Sequence, residues 1–117
     1  MRAVGEIPGP ALTVSVSRDE GVGLVALGGW LDVETVEVVR DELERLLEEG
    51  VRELLVNMAG VEFLDDAAAR TLVEAAQWTR ALGGTLHVFH VSGQPRELLL
   101  RLALRVVGPL LSVPAAA

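Results

Sequence analysis

The stretch VNMAGVEFLDDAAARTLVEAAQWTRALGG, residues Val56 to Gly84, decides how this chain folds. It begins inside an apolar run, LLVNM at Leu54–Met58, whose aliphatic residues predict a strand. Ala59–Gly60 predicts a break and Val61–Leu64 a bend. Asp65 and Asp66 then stand where a helix should begin, and that helix is expected to run to about Leu82 and stop at Gly83–Gly84. A helix N-terminus carries about half a positive charge and unpaired N–H groups. A strand that delivers two carboxylates to such an end therefore marks a candidate site.

Upstream, Met1–Ala11 holds two Pro and two Gly and is expected to be a flexible lead. Leu12–Ser17, LTVSVS, alternates apolar and polar residues and predicts a half-buried strand at a sheet edge. Arg18–Gly21 predicts a turn and Val22–Gly28 a more apolar strand, the two strands pairing as a hairpin. Gly29–Trp30–Leu31–Asp32 ends the second strand, with Asp32 a candidate N-cap for a helix over Val33–Glu49. Val36, Val39, Leu43, Leu46 and Leu47 form one apolar stripe of that helix, acidic residues fill its other faces, and Gly50 stops it.

Downstream, Thr85–Val91 predicts a strand broken by Gly93–Gln94–Pro95. Pro95 suits the first turn of a third helix, Pro95–Val106, ended by Gly108–Pro109. Leu110–Val113 predicts a short strand or packed tail, and residues 114–117 a loose end. The domain is thus expected over residues 12–113. Strands alternating with helices of this length imply parallel pairing. The expected fold is α/β, a mixed, mostly parallel sheet of about four to five strands with an N-terminal hairpin, covered by about three helices.

Composition bounds the function. The 117 residues suffice for one domain with a core but not for two. Half the chain is hydrophobic and only 3% aromatic, so the core must be aliphatic. All ten basic residues are Arg and the net charge is −7, which argues against nucleic acid and anionic membrane as partners. There is no Cys, hence no disulfide and no thiolate metal site. MRAVGEIPGPAL contains no apolar run of signal-peptide length and no segment reaches membrane-spanning length, so a cytoplasmic location is expected without membrane insertion.

The residues able to carry chemistry are few. Asp65 and Asp66 suit a divalent cation or an acid–base pair, but capping a helix is the plainer role. No third acid is near in sequence, and only the fold could bring Asp32 close. His87 and His90, three apart on an expected strand, should point to opposite faces and so share no metal. Neither glycine pair forms a nucleotide-binding loop, and no Ser sits in a nucleophile elbow. No cofactor or metal is expected. Trp30 and Trp78 are either partly buried on the domain's own surface or, for Trp30 above all, a contact for a partner.

GGWLD at Gly28–Asp32, VEFLDD at Val61–Asp66, ALGGTLHV at Ala81–Val88 and the order of elements resemble the STAS domain family, in particular the bacterial anti-sigma factor antagonists. The resemblance runs from about Leu12 to Val113. It implies a binding module rather than an enzyme, docking onto an anti-sigma factor, serine-kinase types among them, or another regulatory protein. The family carries G-E-(I/L)-D at the strand end and F-(L/M)-D-S-(S/T)-G at the helix start. By position Asp65 matches the turn Asp, Asp66 the phosphorylated Ser, and Asp32 the strand-end Asp.

The departures are Asp66 itself, Ala67 and Ala68 for the next hydroxyl residue and the Gly, Trp30 for the usual Glu, and Asn57 where Asp is common. The implied partner surface is Trp30, Asp32, Asp65, Asp66, Ala67 and Ala68, with Asp66 not phosphorylatable by a Ser/Thr kinase. Asp66 then either mimics the phosphorylated state, with about one charge against −1.5 to −2 for phosphoserine, or belongs to a changed interface. A cytoplasmic STAS subunit of a lipid-trafficking ABC-type transport complex is the alternative use of the same fold.

Overall fold

A computed structural model of the chain describes residues 2–8 and 12–106, with side chains over 12–102. The elements run β1 (Arg2–Pro8), β2 (Leu12–Asp19), β3 (Val22–Leu31), α1 (Val36–Glu48), β4 (Glu53–Leu64), α2 (Asp66–Ala81), β5 (Thr85–Phe89) and α3 (Gly93–Val106). One five-stranded sheet has the order β1-β2-β3-β4-β5. β1–β2 and β2–β3 are antiparallel, whereas β3–β4 and β4–β5 are parallel. The expected hairpin and the parallel pairs are therefore present.

Alternation along the strands sends one set of side chains inward. Val14 and Val16 of β2, Val25 and Leu27 of β3, Leu54, Val56 and Met58 of β4, and Leu86 and Val88 of β5 are all buried. They join one aliphatic core with the stripes of the helices: Val36, Val39, Leu43, Leu46 and Leu47 of α1, Leu72, Val73 and the alanines of α2, and Leu98, Leu99 and Leu102 of α3. Among the described residues Thr79 is the buried polar one, and its hydroxyl donates to Ala75 O at 2.7 Å. The bond satisfies the hydroxyl within its own helix.

Several boundaries differ from expectation, each for a physical reason. Arg2–Pro8, expected as a flexible lead, pairs along β2, so β2 is an inner strand. An edge strand bonds on one side only and tolerates Gly5 and a terminal Pro8. β3 runs on through Trp30 to Leu31. The helix expected from Val33 begins at Val36, because Asp32–Thr35 forms a hydrogen-bonded turn first, with Val36 N donating to Asp32 O at 2.8 Å. α3 starts at Gly93 rather than Pro95, and β5 ends at Phe89. Expected features at residues 1, 9–11 and 107–117, including the strand or tail at Leu110–Val113, lie outside the described residues.

The largest difference concerns β4. Ala59–Gly60 does not break it. The pairing with β3 slips, from Ala26↔Asn57 to Gly28↔Gly60, and the strand continues to Leu64. Asn57 Oδ1 accepts from Ala59 N at 2.9 Å and holds this bulge. The two glycines make it possible: a Cβ on Gly60 would lie 3.1 Å from Gly28 Cα and from Leu27 O. Glycine within a strand marks such a bulge and close backbone approach. The consequence is positional, since the ends of β3 and β4 finish side by side, Trp30 opposite Phe63 and Leu31 opposite Leu64.

Candidate functional site

Each of these strand ends is followed by an acid. Asp65 is the N-cap of α2, with extended backbone, and its Oδ1 accepts from Ala68 N at 2.8 Å. Its other oxygen, Oδ2, accepts from Val33 N at 3.1 Å, and its own N donates to Leu31 O at 3.1 Å. One side chain thus ties the start of α2 to the turn after β3. Asp32 works within that turn. Its Oδ1 accepts from Glu34 N at 3.0 Å and from Thr35 N at 3.1 Å. Thr35 Oγ1 accepts from Asp32 N at 2.9 Å and donates to Trp30 O at 3.1 Å.

Asp32 and Asp65 are therefore spent on backbone N–H groups, both half-buried. Asp32 does not cap α1 in the expected way, since its side chain closes the turn before Val36. Ala68 is wholly buried and offers a partner no side-chain surface; what it supplies is the N–H that Asp65 caps. That follows from helical geometry, because the third residue of α2 turns toward the core.

What reaches solvent is different. Asp66, the first residue of α2, is exposed, and its carboxylate has no hydrogen bond or ion pair among the described residues. Ala67 beside it is half-buried. Trp30 is 50% exposed and Val33 61% exposed. The Trp30 ring leans on Phe63, with centroids 5.0 Å apart and planes tilted by 40°. Glu34 and Glu62, next to Val33 and Phe63, are also exposed. An apolar, partly aromatic face thus lies at the strand ends, flanked by carboxylates.

Two contributors to this arrangement are absent from the candidates drawn from the sequence. One is Thr35, which braces Trp30 from behind. The other is Gln94, at the start of α3. β4 pairs with β5 only as far as Asn57↔Phe89, so among the described residues no strand lies beside the outer edge of its last residues. Gln94 takes that place: Oε1 accepts from Leu64 N at 3.0 Å and Nε2 donates to Leu64 O at 2.7 Å. A single amide side chain satisfies both backbone groups of the residue before Asp65.

The remaining candidates lie apart from this face. His87 is half-buried on β5, and His90 lies beyond the strand with a left-handed backbone, φ 56°. The alternation expected of a strand therefore does not relate the two. Thr71, the nearest hydroxyl along α2, donates to Ala67 O at 3.1 Å. Trp78 is half-buried and packs against the core. Among the described residues no three His, Asp or Glu side chains gather in a group able to hold a metal ion. Among them, too, no helix is long and apolar enough to cross a membrane.

Fold and site define a class: a single-sheet α/β domain whose two central parallel strands end together at a helix start, presenting an acid beside exposed aromatic surface. A family model described as the STAS domain matches residues 13–112, and the chain belongs to that family. Among solved structures it is similar to an anti-sigma factor antagonist from Mycobacterium paratuberculosis, with TM-score 0.74, 19% identity, and coverage of 91% of this chain and 90% of that one. It is also similar to the phosphorylated form of the Bacillus cell fate determinant SpoIIAA, with TM-score 0.68, 18% identity, and coverage of 86% and 89%. A third is RsbS from Moorella thermoacetica, with TM-score 0.69, 19% identity, and coverage of 86% and 84%. At these identities the likeness is one of fold. No curated protein sequence matches the chain.

Proposed function

We propose that this chain is a protein-binding module of the anti-sigma factor antagonist kind, and not an enzyme. It docks an anti-sigma factor or a related regulatory protein through the face built from Trp30, Val33, Phe63 and Asp66. The observation that carries the reading is Asp66, a solvent-facing carboxylate with no hydrogen-bond or ion-pair partner among the described residues, at the first position of α2. The antagonist neighbours, one of them solved in a phosphorylated form, support it at the level of fold.

On this reading the charge at the helix start is permanent. A phosphoserine there would come and go with −1.5 to −2 charge, whereas an aspartate holds about −1 at all times. A partner fitted to Asp66 binds constitutively and supplies a cation, since an uncompensated charge in an interface costs several kcal/mol. Trp30 and Phe63 supply the apolar anchor that such interfaces concentrate near their centre. Asp32 and Asp65 act beneath the surface, fixing the two segments that carry these residues.

The test is titration of the chain with the purified anti-sigma factors of its source organism, followed by calorimetry, beside the Trp30→Ala and Asp66→Lys variants. One of them should bind the parent chain and lose affinity for both variants. Binding only to a permease or ATPase subunit would overturn this reading in favour of the transport-subunit alternative.

A further inference from the structure

β4 outruns β5. Their pairing stops at Asn57↔Phe89, yet β4 runs on to Leu64. His90–Gly93 link Phe89 to Gln94, whose amide meets Leu64. Both ends of this link have left-handed backbone, φ 56° at His90 and 61° at Gly93. Glycine takes that conformation freely, whereas histidine takes it uncommonly and at a cost in energy. Val91 and Pro95 are buried, and Ser92, Gly93 and Gln94 between them are classed as exposed. The link is therefore anchored at two apolar points, and what it delivers to β4 is the Gln94 amide.

Leu64 stands at a junction. On one side of it in the chain is Phe63, whose ring meets that of Trp30. On the other is Asp65, which caps α2 and accepts from Val33 N. Asp66 follows. Phe63 and Asp66 thus lie within two residues of Leu64, and Trp30 and Val33 are each one contact further on. The junction is held from two sides. Toward β3, Asp65 N donates to Leu31 O at 3.1 Å. Toward α3, the side-chain hydrogen bonds among the described residues are the two made by Gln94, at 3.0 and 2.7 Å. Leu98, Leu99 and Leu102 seat α3 on the core, so the amide goes where the helix goes.

We infer that Gln94 is a positioning residue for the partner face, and that through it the seating of α3 controls whether that face is assembled. Helices shift by about 1–2 Å in switching proteins. A shift of that size breaks a pair of bonds whose useful range ends near about 3.2 Å. Leu64 then loses both outer partners, and Phe63 and Asp65 lose their fixed places together. The coupling rests on the binding face proposed above and adds to it a control element that does not belong to the face.

Nuclear magnetic resonance on the whole chain, without a partner, tests the coupling first. Gln94→Met keeps an unbranched side chain of similar length and removes both bonds. Leu98→Val keeps the amide and loosens α3 one turn further along. Val16→Ala, on a strand two places from β4, lowers stability without reaching the junction. Far-UV circular dichroism checks that each variant folds. Gln94→Met and Leu98→Val should move the Trp30 indole N–H and the Val33 and Ala68 amides along one common line, the signature of a shared two-state equilibrium. Val16→Ala should leave them in place. The coupling is refuted if either α3 variant leaves these resonances unmoved, or if Val16→Ala moves them along the same line. An anti-sigma factor that binds the parent chain should bind Gln94→Met about two- to tenfold more weakly, as when between about half and a tenth of the molecules remain competent. Equal binding to both would refute the coupling and leave the proposed function standing. Collinear shifts in a chain that binds no anti-sigma factor would do the reverse.

Discussion

Asp65 holds Val33 across the gap between two strand ends: its Oδ2 accepts the Val33 N–H at 3.1 Å while Oδ1 caps α2 through Ala68 N at 2.8 Å. The cap and the bridge share one carboxylate, so the angle of α2 and the turn carrying Trp30 are set together. Replacing Asp65 by Ala removes both bonds. Loss of an N-cap alone costs about 1 kcal/mol, and the bridge adds to it. Urea denaturation of Asp65→Ala should show about 1–2 kcal/mol of lost stability, and partner affinity should fall with it although Asp65 is half-buried. Asp65→Asn, which keeps one carbonyl oxygen for the cap, should recover part of the stability.

Gln94 predicts a second effect at a distance from the sequence of the site. Gln94→Ala leaves the N–H and C=O of Leu64 without their partners. Backbone groups left unsatisfied at a partly buried edge cost about 1–3 kcal/mol. Stability should drop by that order, and the Leu64 amide should exchange hydrogen faster than in the parent chain. An unchanged Leu64 exchange rate would show that the amide clamp is not what holds the end of β4.

Gly84 is where α2 hands over to β5. A Cβ there would stand 2.1 Å from Arg52 O, the same oxygen that accepts from Thr85 N at 2.8 Å. The obstacle is backbone, which cannot rotate away. Gly84→Ala should therefore cost about 3 kcal/mol or more by thermal or urea denaturation, whereas Gly83, which has open space around it, is constrained only by its left-handed φ of 85°.

Trp30 separates binding from folding. Half its surface is exposed and its contact with Phe63 is a tilted ring pair. Such a pair contributes about 0.5–1.5 kcal/mol, so Trp30→Ala should lower stability by no more than that. Binding should suffer more, by about 2 kcal/mol, if the ring is an interface anchor. Equal small losses in both measurements would make Trp30 an ordinary surface residue.

How much of this was legible in the residues depends on what each signal measures. The aliphatic stripe of α1 was readable because helical spacing reports burial directly, and Val36, Val39, Leu43, Leu46 and Leu47 are all buried. A carboxylate cap on α2 was readable from the Asp65–Asp66 pair before an apolar periodic run, and the structure gives the cap to Asp65. Gly60 misled, because glycine marks a break and a bulge alike, and only its pairing opposite Gly28 decides between them. β1 was missed since proline and glycine count against a strand unless an edge is available, and an edge is a property of the sheet. Gln94 depends on a contact with Leu64, 30 residues away, that no local pattern encodes. Thr35 bonds only to Asp32 and Trp30 close by in the chain, so an Asp-x-x-Thr turn was the signal that could have found it.

The central claim is that a fixed acid at the start of α2 makes a constitutive binding surface. Intact-mass measurement of the chain, after incubation with ATP and a kinase-type anti-sigma factor that binds it, tests this most directly. The mass should be unchanged and the complex should survive ATP. A phosphate on α2, at Asp66 or Thr71, together with release of the partner, would contradict it.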